Sequence, residues 1–525
     1  MGVLDGISII FILLILIIFV IKIYKDEKNS VKKPSNIVCE FSGELLNSRI
    51  NEENKSEIEQ FFSNHSKKIW LFLIVIVFFT VIYKFGEIPT YVGVDEIGMA
   101  YDAYCISEYG TDRYGNQYPL YLTNFGQGQS VLCTYLTVLF YKIIGVNTIA
   151  FRLPVLLIYI LSVLASYLIV TKLNMNNVTC KNNKKMAFVF IFLILTCPWN
   201  IVNARQALDC NLFAGMLMIS LYFMIKEKKS YQFFISGIFI GLTLYTYCLA
   251  WITIPIFLIG YIIYMLYLKK INIKQIFILG LPIAILAFPL IYFILLNYGI
   301  VQNTNLGIFS LPILSEFRVQ DINFFNIFKE GISSIKTIFM GEQTIYPMYI
   351  PLFIIGYIWG LADTIKSIKK KEFNINAIMV ITFTTILLGL LTTKIPTANK
   401  ANALYIPILY FVAIAILNIA RNSKFILIAF FVMIMILFIN FEYYYYTVDG
   451  IYMDNWYEDR YLMDITRKLE ENEETKSKEK YLLVNKSSPY IYSAFAKKVS
   501  PQEFKDTYKY KQIRNSKNNT KNIKL

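Results

Sequence analysis

The stretch Ile69-Trp70-Leu71-Phe72-Leu73-Ile74-Val75-Ile76-Val77-Phe78-Phe79-Thr80-Val81-Ile82-Tyr83-Lys84-Phe85 decides the fold. It is a continuous apolar run with one charge near its end, close to the length of about 20 residues that crosses roughly 30 Å of hydrocarbon. Because apolar and polar residues do not alternate, the run reads as a helix and not as a barrel strand. Runs of the same kind recur along the chain. Of its 525 residues 56% are hydrophobic and the mean hydropathy is +0.50, above the roughly 45–50% apolar content of ordinary globular chains. The expected fold class is an all-α polytopic membrane protein of about twelve transmembrane helices.

The net charge of +15 takes its meaning from where the charges lie. No basic stripe with interleaved aromatics appears, so a nucleic-acid partner is not expected. Met1 to Gly6 carries no Lys or Arg, the apolar run Ile7–Ile21 follows, and Lys22, Lys25, Lys28, Lys32 and Lys33 come next. Positive charge after a span places the N-terminus outside and segment 22–68 in the cytosol. Further clusters fall between later spans: Lys181/Lys184/Lys185, Lys226/Lys228/Lys229, Lys269/Lys270/Lys274, Lys366/Lys369–Lys371 and Arg421/Lys424. With Lys172, the proposed inner segments hold 25 Lys+Arg, and the longer outer ones before the tail hold 10. That bias selects one orientation.

The organisation that follows is an N-terminal transmembrane helix (1–25), a cytosolic polar linker (26–68), a membrane core (69–442) with outer loops 86–150 and 299–346, and an extracytoplasmic tail (443–525). In the loops, Val131–Ile144 and Asn326–Phe339 read as amphipathic helices lying on the membrane surface. The tail reads as a small α/β domain, with a strand at Tyr481–Asn485, a helix from Pro489 and another opening at Ser500-Pro501-Gln502-Glu503. The expected location is the cell membrane, with chemistry on its outer face and lipids around the bundle. The seven cysteines show no metal spacing; Cys105 and Cys133 share one outer loop and are the one candidate pair for a bridge. The single histidine, His65, falls on the cytosolic side, so acid–base chemistry outside must use carboxylates, tyrosines or lysines.

Three stretches can carry that chemistry. The first is Val94-Asp95-Glu96-Ile97-Gly98-Met99-Ala100-Tyr101, just outside the span that opened this reading. Adjacent carboxylates at a membrane surface are costly to place. They suit a general base that takes a proton from an acceptor hydroxyl, although a solvated loop carrying two charges is the plainer account. The second is Pro198-Trp199-Asn200 through Arg205-Gln206-Ala207-Leu208-Asp209. On a helix the spacing of four would put Arg205 and Asp209 on one face, either as a simple ion pair or as a phosphate-binding guanidinium whose carboxylate neighbour orients it or holds a metal. The third is Lys394-Ile395-Pro396-Thr397-Ala398-Asn399-Lys400-Ala401-Asn402. Outer lysines oppose the positive-inside bias and ask for an anion, either a lipid headgroup or a bound lipid phosphate. Arg318 and Lys336 are further cationic candidates.

At these residues the chain resembles the family 39 glycosyltransferases. These are the protein O-mannosyltransferases and the bacterial transferases that move sugars from polyprenyl phosphate onto lipid A or other envelope acceptors. The likeness covers about residues 69–420. It rests on an outward helix, on Asp95-Glu96 opening a long outer loop, on Gly145 and Ala150-Phe151-Arg152-Leu153-Pro154 opening the return helix, and on Arg205 to Asp209, which is similar to a second acidic motif. The run from Asp95 through Gly98-Met99-Ala100-Tyr101-Asp102-Ala103-Tyr104, with Asp112-Arg113-Tyr114-Gly115-Asn116, is similar to members from Firmicutes. The chain departs from the family where many members carry Lys-Pro-Pro-Leu, whose lysine meets the donor phosphate; here stand Gln127-Gly128-Gln129-Ser130.

The resemblance implies a C-type glycosyltransferase fold and an inverting single displacement from a polyprenyl-phosphate-linked sugar to a hydroxyl of a protein or envelope acceptor. It implies Asp95 as base, Glu96 as the residue that positions the acceptor or the base, and Arg205, Lys394 and Lys400 as candidates for the donor phosphate. Asp209 would orient or share a divalent metal ion, while Asp102, Asp112, Arg113 and Gln129 are acceptor or loop candidates. No cofactor is fixed by the resemblance, although Asp95 with Asp209 could hold a divalent metal ion; the leaving lipid phosphate needs its charge neutralised and no proton. The alternative function is a transporter or flippase for a lipid-linked glycan. That would call for charges within the membrane, broken helices and often inverted repeats, whereas the conspicuous charges here sit at outer span ends.

Overall fold

The computed structural model describes residues 68–172, 183–225, 229–315, 344–391, 397–421, 423–449, 457–472 and 490–507, two strands near the C-terminus, and scattered positions elsewhere. The chain enters through α1 (Lys68–Ile82), whose last turn widens into a π-helix at Phe78–Ile82. The first loop carries α2 (Val94–Tyr109), a hairpin of β1 (Leu122–Asn124) and β2 (Gln127–Gln129), and α3 (Leu132–Ile144). The bundle continues through α4 (Thr148–Lys172), α5 (Asn183–Thr196), α6 (Pro198–Ala204), α7 (Asn211–Ile225), α8 (Ser230–Thr243), α9 (Ala250–Tyr267) and α10 (Ile273–Asn297). A small hairpin of β3 (Asn305–Leu306) and β4 (Phe309–Ser310) precedes α11 (Tyr349–Lys370), α12 (Ile375–Leu391), α13 (Ala398–Ile419) and α14 (Lys424–Tyr444).

By length and composition α4, α9, α10, α13 and α14 can each cross a membrane, and α5 with α6 forms a further crossing bent by 65°. The bend has a local cause, because Pro198 stands at the first turn of α6 and has no N–H with which to continue α5. Among the described residues fewer helices meet that standard than the twelve expected, because α1, α7, α8 and α12 are apolar but short. Of the N-terminal run only scattered positions between 7 and 17 are described; Phe11 packs edge-on against Phe430 of α14.

α13 is the central post. It packs against α5, α7, α11 and α12, and 83% of its apolar window is buried, against 22% for α10, whose Ile285, Phe288 and Ile291 face outward. The α11–α13 approach depends on Gly356, where a Cβ would stand 1.9 Å from the Phe411 carbonyl oxygen, the small-residue contact by which helices associate in lipid.

The inner ends of the spans meet where the charge pattern puts the cytosol. Tyr264 accepts from the Asn374 N–H (2.9 Å), and the Lys371 ammonium lies over the Tyr267 ring, bringing the Lys269–Lys274 and Lys366–Lys371 clusters together. At the other end the two long loops bond to each other, Leu120 N–H to the Ser310 carbonyl and Ser310 N–H to that of Gln117, both at 3.0 Å.

The C-terminal segment contains α15 (Tyr457–Glu471), β5 (Tyr481–Val484) paired antiparallel with β6 (Lys521–Lys524), α16 (Tyr490–Lys497) and α17 (Pro501–Thr507). It joins the first loop directly. Tyr492 donates to the Val92 carbonyl (2.9 Å), Tyr101 to that of Val499 (2.9 Å) and Tyr104 to that of Lys498 (3.0 Å). The loop and residues 490–507 therefore lie on one side of the bundle. The candidate pair Cys105 and Cys133 is not bridged; both are buried free thiols. The expected helix Asn326–Phe339, the linker 26–67 with His65, Arg318, Lys336 and Lys394 lie outside the described residues.

Candidate active site

The site begins at the first turn of α2, where Asp95 and Glu96 follow the N-cap Gly93 and gain from the unpaired N–H groups and the dipole at that end. Neighbours on a helix point apart by about 100°, so one carboxylate turns inward and the other outward. Glu96 is 1% exposed, whereas Asp95 is exposed.

The inward carboxylate is fully engaged. Glu96 accepts from Arg152 Nε at 2.8 Å and Nη2 at 3.2 Å, and from the Ala207 N–H at 2.9 Å. Arg152, in the first turns of α4, spends its remaining donors on the carbonyls of Pro89 (3.0 Å) and Tyr91 (2.9 Å). One buried, bidentate pair thus joins the segment before α2, the start of α4 and the turn after α6.

The outward carboxylate accepts from a hairpin amide. Asn124 Nδ2 donates to Asp95 Oδ1 at 2.8 Å, and Gln129 Nε2 stands 3.4 Å from the Asp95 carbonyl oxygen. Both amides come from the β1–β2 hairpin, registered Leu122 to Gln129, Thr123 to Gly128 and Asn124 to Gln127. Its two-residue turn, Phe125-Gly126, has positive φ at both positions (51° and 82°), as a type I′ turn requires. A phenylalanine there is strained; the Arg113 guanidinium lies over its ring, 5.8 Å from the centroid.

Asp209 closes the arrangement, its Oδ2 accepting from the Ser130 N–H at 3.0 Å and its Oδ1 from the Cys210 N–H at 2.8 Å. Asn402 of α13 donates to the Cys210 carbonyl at 2.6 Å. The stretch Gln127-Gly128-Gln129 is therefore the second hairpin strand, and Ser130 follows it.

Arg205 corrects the sequence reading. α6 ends at Ala204, so Arg205 and Asp209 do not share a helix. The guanidinium is fully buried and donates to the carbonyls of Thr80, Tyr83, Lys84 and Ile88 at 2.8–3.2 Å, with Tyr445 and Tyr446 against it. It holds the end of α1 and the chain beyond it from a fully enclosed position. We expect Arg205→Lys and Arg205→Ala to lower the melting temperature in detergent. The cause would be stranded buried carbonyls, each worth about 1–3 kcal/mol. Donor concentration dependence in the surviving protein should stay unchanged, which donor titration of thermally matched samples checks.

The remaining loop candidates build the scaffold around the site. Asp112, wholly buried, accepts from the N–H groups of Tyr114 and Asn116 and from the Asn116 side chain, 2.8–2.9 Å, as the organiser of a turn. Asp102 and Arg113 form a buried pair at 3.4 Å; burial pushes the Asp102 carboxyl up to about 7 although the Arg113 charge pulls it down. Lys400 lies in the first turn of α13 and is half-buried. Among the described residues no group of three His, Cys, Asp or Glu is placed to hold a metal ion. Asp95 Oδ1 and both oxygens of Asp209 accept N–H donors, and no step is derived through a metal ion.

Neither Asn124 nor Arg152 stands out in the sequence as a site residue. Arg152 is visible there only within the block Ala150–Pro154, and Asn124 only as the residue before a Phe-Gly pair that does not advertise a turn.

No protein-family model matches the chain, and no curated protein matches it. Among solved structures the chain is similar to ArnT from Cupriavidus metallidurans bound to undecaprenyl phosphate. The identity is 13%, 83% of this chain and 75% of that one are covered, and the TM-score is 0.46. It is also similar to the oligosaccharyltransferase of Archaeoglobus fulgidus in complex with Zn and sulfate (14% identity, 77% and 56% covered, TM-score 0.47). A third is the archaeal oligosaccharyltransferase AglB from Archaeoglobus fulgidus, in complex with an inhibitory peptide and a dolichol-phosphate (13%, 79% and 59%, 0.45). Likenesses of this size concern the general course of the chain and not which residues act. The resemblance to family 39 glycosyltransferases rests on the sequence blocks quoted above.

Proposed function

We propose that this protein is an inverting glycosyltransferase that moves a sugar from a polyprenyl-phosphate donor to a hydroxyl acceptor on the outer face of the cell membrane. The observation that carries the proposal is the division of labour in the adjacent pair. Glu96 is buried and bound by Arg152, while Asp95 is exposed and oriented by Asn124. A solvated loop would leave both carboxylates free, whereas a base must be accessible and rigidly held.

In this reading Asp95 takes the acceptor hydroxyl proton as that oxygen attacks the anomeric carbon from the face opposite the phosphate. The carbon–oxygen bond to phosphate breaks, and polyprenyl phosphate leaves with the electron pair. A phosphate needs its charge neutralised and no proton, so the outer face has no need of a histidine.

Lys400 takes the donor phosphate. It stands half-buried in the first turn of α13. The Asn402–Cys210 bond holds that end of α13 beside Asp209. We expect Lys400→Ala to raise the donor concentration for half-maximal transfer roughly tenfold, the size of one charge-assisted hydrogen bond, with little change at saturating donor. Incubation of purified protein in detergent with radiolabelled polyprenyl-phosphate sugars and cell-envelope fractions tests the activity itself. Absence of label transfer across the donor panel would sink the proposal, and an unchanged donor dependence in Lys400→Ala would remove that residue from it.

A further inference from the structure

One face of α2 carries Asp95, Gly98 and Asp102, spaced three and four apart, and a chain of polar contacts runs along it. At its far end Asp102 pairs with Arg113 at 3.4 Å and accepts from the Arg113 N–H at 3.1 Å. Arg113 Nη2 donates to Asn124 Oδ1 at 2.8 Å and to the Thr123 carbonyl at 3.1 Å. Asn124 Nδ2 then donates to Asp95 at 2.8 Å, across 29 residues of sequence. Asp102, Arg113 and Asn124 are buried, and only the Asp95 end reaches solvent.

Each link removes a freedom from the next. An asparagine amide by itself can present either its oxygen or its nitrogen to a carboxylate. Here a guanidinium, which only donates, occupies the oxygen, so the NH2 end must face Asp95. Gly98 makes the room: a Cβ at that position would stand 2.8 Å from Asn124 Oδ1 and 3.0 Å from Arg113 Nη1. The buried Asp102–Arg113 pair contacts neither solvent nor the exposed carboxylate, so its place in the arrangement is to aim the amide.

We propose that Asn124, aimed by Arg113 and Asp102 through the gap left by Gly98, is a positioning residue that fixes the Asp95 carboxylate and holds it in its ionised form. The proposal deepens the transferase reading and rests on it for its catalytic meaning, while its physical content concerns Asp95 alone. A donated hydrogen bond favours the charged carboxylate, so losing it raises the pH at which Asp95 takes up a proton. The titratable and charged groups on the elements packed here include Glu96, bound to Arg152; Asp102 and Arg113 behind Asn124; the Cys210 thiol; and Asp209, bonded to the Ser130 N–H.

The test is a pH series of carbodiimide labelling at Asp95, which reacts through the protonated carboxyl, read by mass spectrometry on the full-length protein in detergent. Three proteins are compared: wild type, Asn124→Ala and Asn124→Asp. Asn124→Ala should move the labelling midpoint up by about one pH unit, the shift expected from one hydrogen bond to a charged group. Asn124→Asp keeps the shape and the acceptor for Arg113 but has no N–H to donate, so it should move the midpoint further. Superimposable midpoints in all three proteins would overturn the proposal, whatever the protein transfers. In the transfer assay both variants should lose turnover with an unchanged donor dependence. Shifted midpoints without any transfer by wild type would leave the positioning role standing and overturn the transferase reading instead.

Discussion

Asp95→Asn is expected to cut sugar transfer by about 10²–10⁴-fold, the usual contribution of a general base, while leaving the fold intact. The reasons for the two halves of that result differ. Transfer falls because an amide cannot accept the acceptor proton, and among the described residues of the outer loops there is no histidine to substitute. The fold survives because Asp95 is exposed and asparagine keeps an oxygen of the same shape to accept from Asn124. Initial rates at saturating donor, with the elution profile in detergent as a control, measure both. A variant within a few-fold of wild type would move the base elsewhere.

Arg152→Met is expected to do its harm through stability. Methionine fills much of the same volume but leaves the Glu96 carboxylate buried with only the Ala207 N–H, and leaves the carbonyls of Pro89 and Tyr91 without donors. Breaking a buried ion pair from one side costs about 3–5 kcal/mol, a large part of the total stability of an ordinary domain. Removing both charges, Glu96→Gln with Arg152→Met, should recover part of the loss, because an uncharged amide tolerates burial far better. Thermal denaturation of the single and double variants in one detergent supplies the comparison. A single variant as stable as wild type would mean that Glu96 finds another partner.

Much of the architecture was open to reading because lipid imposes a simple requirement. Backbone groups must be satisfied within each helix, so spans announce themselves as long apolar runs, and basic clusters mark their inner ends. The Asp95-Glu96 pair stood out for the cost of placing it at a membrane surface. The partners of that pair did not, because they are decided by tertiary contact. Glu96 meets Arg152 across 56 positions and Asp95 meets Asn124 across 29, and neither separation leaves a periodic trace. Arg205 failed for a related reason. The spacing to Asp209 means a shared face only if the helix is continuous, and α6 stops at Ala204. The Phe125-Gly126 turn was missed because phenylalanine is a poor choice for a left-handed position and is held there by tertiary contacts.

The docking of α16 on α2 has a consequence for how the protein comes into being. The Tyr101–Val499 and Tyr492–Val92 bonds join segments about four hundred residues apart, and Phe504 lies against the Tyr101 and Tyr114 rings. The helix that bears the two carboxylates is made about four hundred residues before the surface that backs it. In the transferase reading, the site is therefore finished only when the segment after α14 has docked on α2.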